Sequence, residues 1–381
     1  MRNTLKKLFV FDMLYAFLVA ALAVMVPLYL IDIGVDVISI GAILSLLPLM
    51  YMFLRIVFAS IADQIGTKMV EILESVAMIA AILIYSLSRS APGFALGSFT
   101  EGVRDAGFWA TARTDIKHAN GKRDFGNALA YFVGIRHLAD GFGRISIGIL
   151  IVYLSFQTSF FLLFVLSLIM FGLLLTINKN PFRKFPGTKI ILKKIFHKRS
   201  WCFWHNSLGL TTQQVIPNVL LTFILPLYLY SNLQLNYLTT AIVIGLYSLI
   251  TALANLAVLK LRLSINKLLL LVLFMVPAFL FIPYLGANPL LAIVVLGIGS
   301  GCGNILSEYI LSDKLKNCKN LSTEIGITFI PLRISEFLFM FLGGLVILAF
   351  GYEPLFYVCA LLTVIYVIYA KEVLKFCSCK V

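Results

Sequence analysis

Charged side chains are scarce in this sequence: Asp, Glu, Lys and Arg make up 13% of its 381 residues, about half of the roughly 25% usual for a soluble domain. With 61% hydrophobic residues and a mean hydropathy of +0.99, that scarcity excludes a water-soluble globular protein. Histidine is rarer still, at 4 residues. No His cluster and no carboxylate pair has the arrangement of a metal or metal-diphosphate site, which argues against an intramembrane enzyme and against a bound metal or cofactor. Gly297, Gly299, Gly301 and Gly303 alternate as a phosphate loop might, but no strand precedes them, and mid-span glycines serve close helix packing or bending. The sequence has no room for an ATP-binding domain, so any work it does must draw on an ion or solute gradient. Acidic residues are few as well, 17 against 31 Lys and Arg, for a net charge of +14. In a soluble chain that excess would suggest nucleic acid; here it has to be compared first with the loops between apolar runs.

Apolar runs of about 20 residues, bounded by Gly, Pro, Asn or charges, predict helical spans at 8–31, 38–60, 70–88, 92–112, 127–153 and 158–178. A second set follows at 203–230, 237–259, 267–286, 289–311, 323–348 and 354–370. The expected organisation is therefore a six-helix bundle over 1–178, a basic linker over 179–202 and a second six-helix bundle with a short tail over 203–381. With the N-terminus inside, 25 of the 31 basic residues fall in the inner segments, and the outer loops carry only Arg89. That bias accounts for most of the positive charge without nucleic acid and predicts cytoplasmic termini and linker in a multi-pass protein of the cell membrane. Ala21-Leu22-Ala23 could end a signal peptide, but the apolar run continues past it, so the first helix is read as retained. All six cysteines fall in spans or inner segments, where structural disulfides are not expected, and Cys377-Ser378-Cys379 has no partner His for a metal.

The two sets are related. Pro27-Leu28-Tyr29-Leu30 closes the first span and Pro226-Leu227-Tyr228-Leu229 the seventh, at an offset of 199 that also aligns Ala42-Ile43 with Ala241-Ile242. Thr114-Asp115 answers Ser312-Asp313, and Arg136 and Asp140 answer Arg333 and Glu336. An even number of spans per set gives both repeats one orientation. Between the second and third spans stands Ala59-Ser60-Ile61-Ala62-Asp63-Gln64-Ile65-Gly66-Thr67-Lys68. It is similar to the G-x-L-A-D-R-x-G-R-R motif of the major facilitator superfamily, with Asp63, Gly66 and Lys68 matching and Gln64 and Thr67 in place of arginines. The fourth-span R-x-x-x-G pattern of that family reads Ser98 to Gly102 without its Arg, and the Gly-Pro pattern of proton-coupled drug antiporters is represented only by Gly141, Gly143 and Gly148. The resemblance implies an all-α membrane protein of two parallel six-helix repeats that rock about a central site, with spans 6, 9 and 12 at the periphery. It also places Tyr15 and Trp109 on cavity-lining helices, where core packing is the other reading of both, and assigns Asp63, Gly66 and Lys68 to the conformational switch.

Charges within a bilayer normally face one another or a wet cavity, because each costs about 2.5–3.5 kcal/mol at a helix centre. Arg136, Asp140 and Arg144 recur every four residues and so make one polar stripe on the fifth span. Glu101, Arg104 and Asp105 share one side of the fourth. Taking the two spans as antiparallel neighbours, the register pairs Asp105 with Arg136, Arg104 with Asp140 and Glu101 with Arg144. Such a network can simply fix packing, or part of it can border the cavity and carry a proton, with Glu101, Asp105 and Asp140 as proton sites and the arginines as counter-charges. Arg333 and Glu336 are the matching cavity candidates of the eleventh span. The leading expectation is a monomeric secondary transporter for proton-coupled efflux of drug-like compounds by antiport. The alternative is an uptake symporter or uniporter for a sugar, amino acid or organic anion, with Arg136 and Arg333 binding the anion.

The loop bias generates a direct test. A membrane-impermeant thiol reagent applied to intact cells should miss Cys318, Cys377 and Cys379 and should label a cysteine introduced at Asp36 or Asn232. The reverse pattern would overturn the orientation.

Overall fold

Apolar segments in a bilayer must satisfy their backbone hydrogen bonds internally, and helices do so residue by residue. The computed structural model describes residues 2–120, 125–177, 199–261, 263–286, 289–315 and 321–377, without the side chains of 2–5, 117–120, 125–130, 314–315, 321 and 374–377. Residues 178–198, most of the basic linker, lie outside it, as do Cys318, Cys379 and the side chain of Cys377. The described residues are all-helical: α1 (Arg2–Asp32), α2 (Val37–Ile65), α3 (Lys68–Leu87), α4 (Ala91–Asn120), α5 (Phe125–Leu154) and α6 (Phe156–Leu175). There follow α7 (Trp201–Asn232), α8 (Tyr237–Leu261), α9 (Ile265–Tyr284), α10 (Leu290–Leu315), α11 in two pieces (Leu321–Thr328 and Ile330–Phe350) and α12 (Glu353–Cys377). Eleven of the twelve are long and apolar enough to cross a membrane. The twelfth, α4, has the length at 30 residues but carries the charges that make up the site.

Burial is inverted relative to a soluble protein. Glu74 (0% exposed), Arg104 (1%) and Arg55 (2%) are interior, whereas Phe161, Ile169 and Leu291 stand 58%, 58% and 74% exposed on the outside. That is the distribution a hydrocarbon solvent selects, and the protein is a multi-pass membrane protein. Helices α3, α6, α9 and α12 pack mainly on helices of their own set of six, and the two sets meet along α2–α11 and α5–α8. The repeated Tyr does the same work in each set. Tyr29 packs on Phe156 at the start of α6 (centroids 5.0 Å apart), and Tyr228 packs on Phe356 at the start of α12 (5.1 Å).

Turn chemistry fixes the helix ends. Asp36 caps α2 by accepting from Ser39 N–H at 2.9 Å, and the Ser39 hydrogen bonds hold its carboxyl below the usual carboxylate range. Gly66 ends α2 at φ +100°, a conformation few other residues adopt, and so turns the chain into α3. Lys68 then donates to the Ile177 carbonyl at 3.0 Å and also to that of Leu174, so it clamps the end of α6.

Four expected spans differ in detail. α9 is interrupted at Phe274 and ends in a 3-10 turn at Ile282–Tyr284. α4 runs to Asn120 instead of ending near 112. α7 is not a uniform helix: Leu220–Ile224 and Tyr228–Asn232 are π-helical on either side of Leu225–Leu227. α11 breaks at Phe329, just before Pro331, where the sequence suggests one continuous span.

The seams rest on close backbone approach. A Cβ at Gly344 would stand 2.8 Å from both the Ile38 Cα and the Val37 carbonyl oxygen, and one at Gly41 2.5 Å from the Met340 oxygen. Backbone cannot move aside as a side chain can, so α2 and α11 need glycine here. Gly344→Val should therefore cost about 1–3 kcal/mol, read as a lower unfolding temperature of the purified protein. Gly172→Val should leave that temperature nearly unchanged, because a Cβ there meets nothing within 4 Å.

Candidate functional site

Between the two sets lies a cavity of about 210 Å³, lined by α1, α2, α4 and α5 on one side and α7, α10 and α11 on the other. Ten ionisable residues besides His137 face it: Glu101, Arg104, Asp105, Arg113, Arg136, Asp140, Arg144, Glu308, Arg333 and Glu336. Contacts join the two sets at both ends. At the α2–α3 face, Asp63 accepts from the backbone N–H of Ser322 (3.2 Å) and Thr323 (2.9 Å) and from the Thr323 hydroxyl (2.7 Å). The carboxylate thereby supplies the missing acceptor for the first turn of α11 and complements its dipole. At the α1–α2 face, Tyr237 of α8 donates to Asp32 of α1 at 2.6 Å and receives a hydrogen bond from Tyr230 at 2.9 Å.

On α4 the charges pair within their own helix. Arg104 Nη1 meets Glu101 Oε1 at 2.7 Å, and Arg104 Nη2 meets Asp105 Oδ1 at 2.9 Å, so one guanidinium serves two carboxylates. Tyr85 donates to Glu101 at 3.0 Å and Tyr15 to Asp105 at 2.7 Å. This corrects the expected bridges from Asp105 to Arg136, Arg104 to Asp140 and Glu101 to Arg144. The reason is packing: α4 lies mainly on α2 and α3, and α5 on α8 and α1, so the two are not close neighbours along their length.

The α5 stripe faces the cavity but has other partners. Asp140 Oδ2 is 3.2 Å from Nδ1 of His137, whose Nε2 lies 3.1 Å from Asn304 on α10. The Arg136 guanidinium lies over Tyr15, Phe108 and Trp109, with its centre 5.3, 4.6 and 4.7 Å from the ring centroids. Arg144 reaches α7, where the π-helical turn explains its partner. The N–H of Leu225 bonds the carbonyl of Leu220, five residues back, and so is not available to Leu221. The next donor in line would be Pro226, which has no N–H. The Leu221 carbonyl is left free by the backbone, and Arg144 Nη1 donates to it at 3.3 Å.

Of the other expected cavity residues, Arg333 and Glu336 both line it, 2.6 Å apart, with Asn218 donating to Glu336 and Arg333 lying 3.8 Å above the Tyr51 ring. Trp109 lines the cavity too. Tyr15 is a correction: it is wholly buried behind Asp105, stacked on Phe108 at 3.8 Å, and takes no part in the lining. Sequence reasoning missed Arg113, which lies one residue beyond the expected end of the fourth span. In the structure it is buried, bridges Glu308 of α10 and lies 4.6 Å over Trp109. An unpaired Glu308 in the tenth span was the signal that could have located it.

Compared with known proteins, the family model described as Major Facilitator Superfamily matches residues 8–317. No curated protein matches the chain.

The Arg113–Glu308 pair gives a stability prediction. Glu308→Gln leaves a buried guanidinium without its counter-charge and should cost about 3–5 kcal/mol, whereas Arg113→Met with Glu308→Leu should recover most of the loss. Thermal unfolding of the two purified variants distinguishes a buried pair from a solvated one, for which both changes would be small.

Proposed function

We propose that this chain, which belongs to the major facilitator superfamily and is thereby a secondary transporter, carries a small organic solute together with a proton through the cavity between its two sets of helices. The observation that supports the reading is the α4 triad, in which Glu101 and Asp105 both pair with the guanidinium of Arg104 inside the protein. Asp105 also lies in the field of Arg136 and Arg333, whereas Glu101 has Arg104 alone, so Glu101 is the carboxylate that a proton neutralises at least cost in a low dielectric. We assign the proton to Glu101. Asp140, the first candidate from the sequence, meets the His137 ring at 3.2 Å and shares no guanidinium with a second carboxylate.

In this reading the closures at the two faces open in alternation, with Asp63 holding the first turn of α11 in the closed state. The excess of basic residues in the inner loops supports a cytoplasmic α2–α3 face and cytoplasmic termini in a cell-membrane protein. The cavity bears on the two transport readings. Efflux of drug-like compounds calls for a roomy apolar site, whereas about 210 Å³ ringed by ten ionisable side chains favours ion-coupled movement of a small charged solute.

The test uses purified protein in proteoliposomes with an acid-outside pH gradient and a panel of labelled organic acids, amino acids and sugars. The wild type should accumulate one class. Glu101→Gln should abolish that accumulation and leave solute exchange at equal pH. Gradient-driven accumulation retained by Glu101→Gln, Asp105→Asn and Asp140→Asn alike would refute proton coupling through these groups.

A further inference from the structure

Arg104, Arg113 and Arg333 each meet a carboxylate across the cavity wall or within their own helix. Among the described residues, Arg136 and Arg144 meet none within 4.0 Å, although they are only 8% and 6% exposed. Arg144 spends one donor on the Leu221 carbonyl. Arg136 lies against three aromatic rings, with Asp105 beyond 4.0 Å, and its buried Nη1 has no hydrogen-bond partner. A guanidinium set among aromatic rings at the cavity wall, with an unpartnered Nη1 and no carboxylate within 4.0 Å, can receive an anion.

We propose that Arg136 is the seat of a carboxylate group and that the solute is a small organic monocarboxylate, with an apolar body the size of a single ring or a short branched chain. The size follows from the cavity, about 210 Å³ against the roughly 150 Å³ that holds a benzene molecule. The apolar body has Pro48, Leu44, Val26 and Met340 to lie on. Arg333, which sequence reasoning paired with Arg136 as an anion binder, is held by Glu336 at 2.6 Å and has no such role here. The inference rests on the transport reading for its biological meaning but not for its test, which is binding at equilibrium.

Benzoate is the probe, with benzyl alcohol, benzylamine, chloride and inorganic phosphate as comparisons, on purified protein at fixed pH. Benzoate should raise the unfolding temperature saturably and the others should not, because a ligand that binds only the folded state stabilises it by mass action. Arg136→Gln should weaken benzoate roughly tenfold to a hundredfold, the loss of a hydrogen-bonded charge pair. Arg136→Lys, which keeps the charge but not the fork, should fall between and serves if the Gln variant does not fold. Glu101→Gln should still bind benzoate, so loss of coupling in that variant with binding intact separates the proton assignment from the carboxylate seat. Equal protection by benzyl alcohol or phosphate, undiminished benzoate binding in Arg136→Gln and Arg136→Lys, or no protection by benzoate at millimolar concentration would overturn the proposal.

Discussion

Charge buried in a membrane-spanning bundle has to be compensated close by, and here that constraint divides the ionic contacts into two kinds. Glu101 with Arg104 and Arg333 with Glu336 pair at i and i+3 on a single helix, and Asp140 meets the His137 ring at the same spacing. Such pairs travel with their helix and stay compensated however the two sets of six move. Arg113 with Glu308, Asp63 with the start of α11 and Arg144 with the Leu221 carbonyl join one set to the other. Any parting of the sets exposes these second contacts to water or breaks them, and water entering at that moment lowers the cost of the break. Permanent compensation is thus kept within helices, and breakable compensation lies in the seams where a transporter of this family has to open.

α7 shows how a repeat can be equal in sequence and unequal in backbone. Pro-Leu-Tyr-Leu ends both α1 and α7, yet Pro27 sits in a regular α-helix and Pro226 between two π-helical turns. α7 contains a second proline, Pro217, nine residues earlier, and α1 does not. Two missing donors within one helix leave more carbonyls to be satisfied from outside, and the widened turn accommodates that. The freed Leu221 carbonyl then draws Arg144 across the seam. A local backbone irregularity next to the cavity thereby acquires a charged partner on the opposite set.

The parts legible in the sequence are those set by a period or a composition. Twelve helical segments and the cavity-facing stripe Arg136–Asp140–Arg144 can be read from hydropathy and spacing, since a helix displays residues four apart on one side, although α4 falls short of the apolarity of the other eleven. Pairing partners could not be read. A stripe says which side of a helix is polar but not which helix lies opposite, and α4 and α5, adjacent in the chain, pack chiefly on other helices. Arg113 was missed because the apolar run ends near residue 112, while the helix itself continues to Asn120 and keeps Arg113 buried. The π-helical turns leave no sequence period; two prolines in one span were their only trace. Asp63 and Gly66 were legible because a turn and a helix start impose chemistry on single residues, a positive φ and an acceptor.

Trp109 connects these strands of argument. Its ring lies beneath the guanidinium of Arg113, 4.6 Å away, and beneath that of Arg136, 4.7 Å away. Arg113 belongs to a contact that joins the two sets, and Arg136 lines the cavity with an unpartnered Nη1. The two charges repel, and the shared indole, with its negative faces, offsets part of that repulsion while Glu308 offsets more. On the transport reading proposed above, withdrawal of Glu308 with α10 would leave Arg113 without its carboxylate and make the field at Arg136 more positive. An anion on Arg136 would then be held more firmly while the seam beside it is open, and closing the seam would weaken that hold. One ring shared by two arginines would in that case link the state of the α2–α3 face to the affinity of the cavity through electrostatics over a few ångströms.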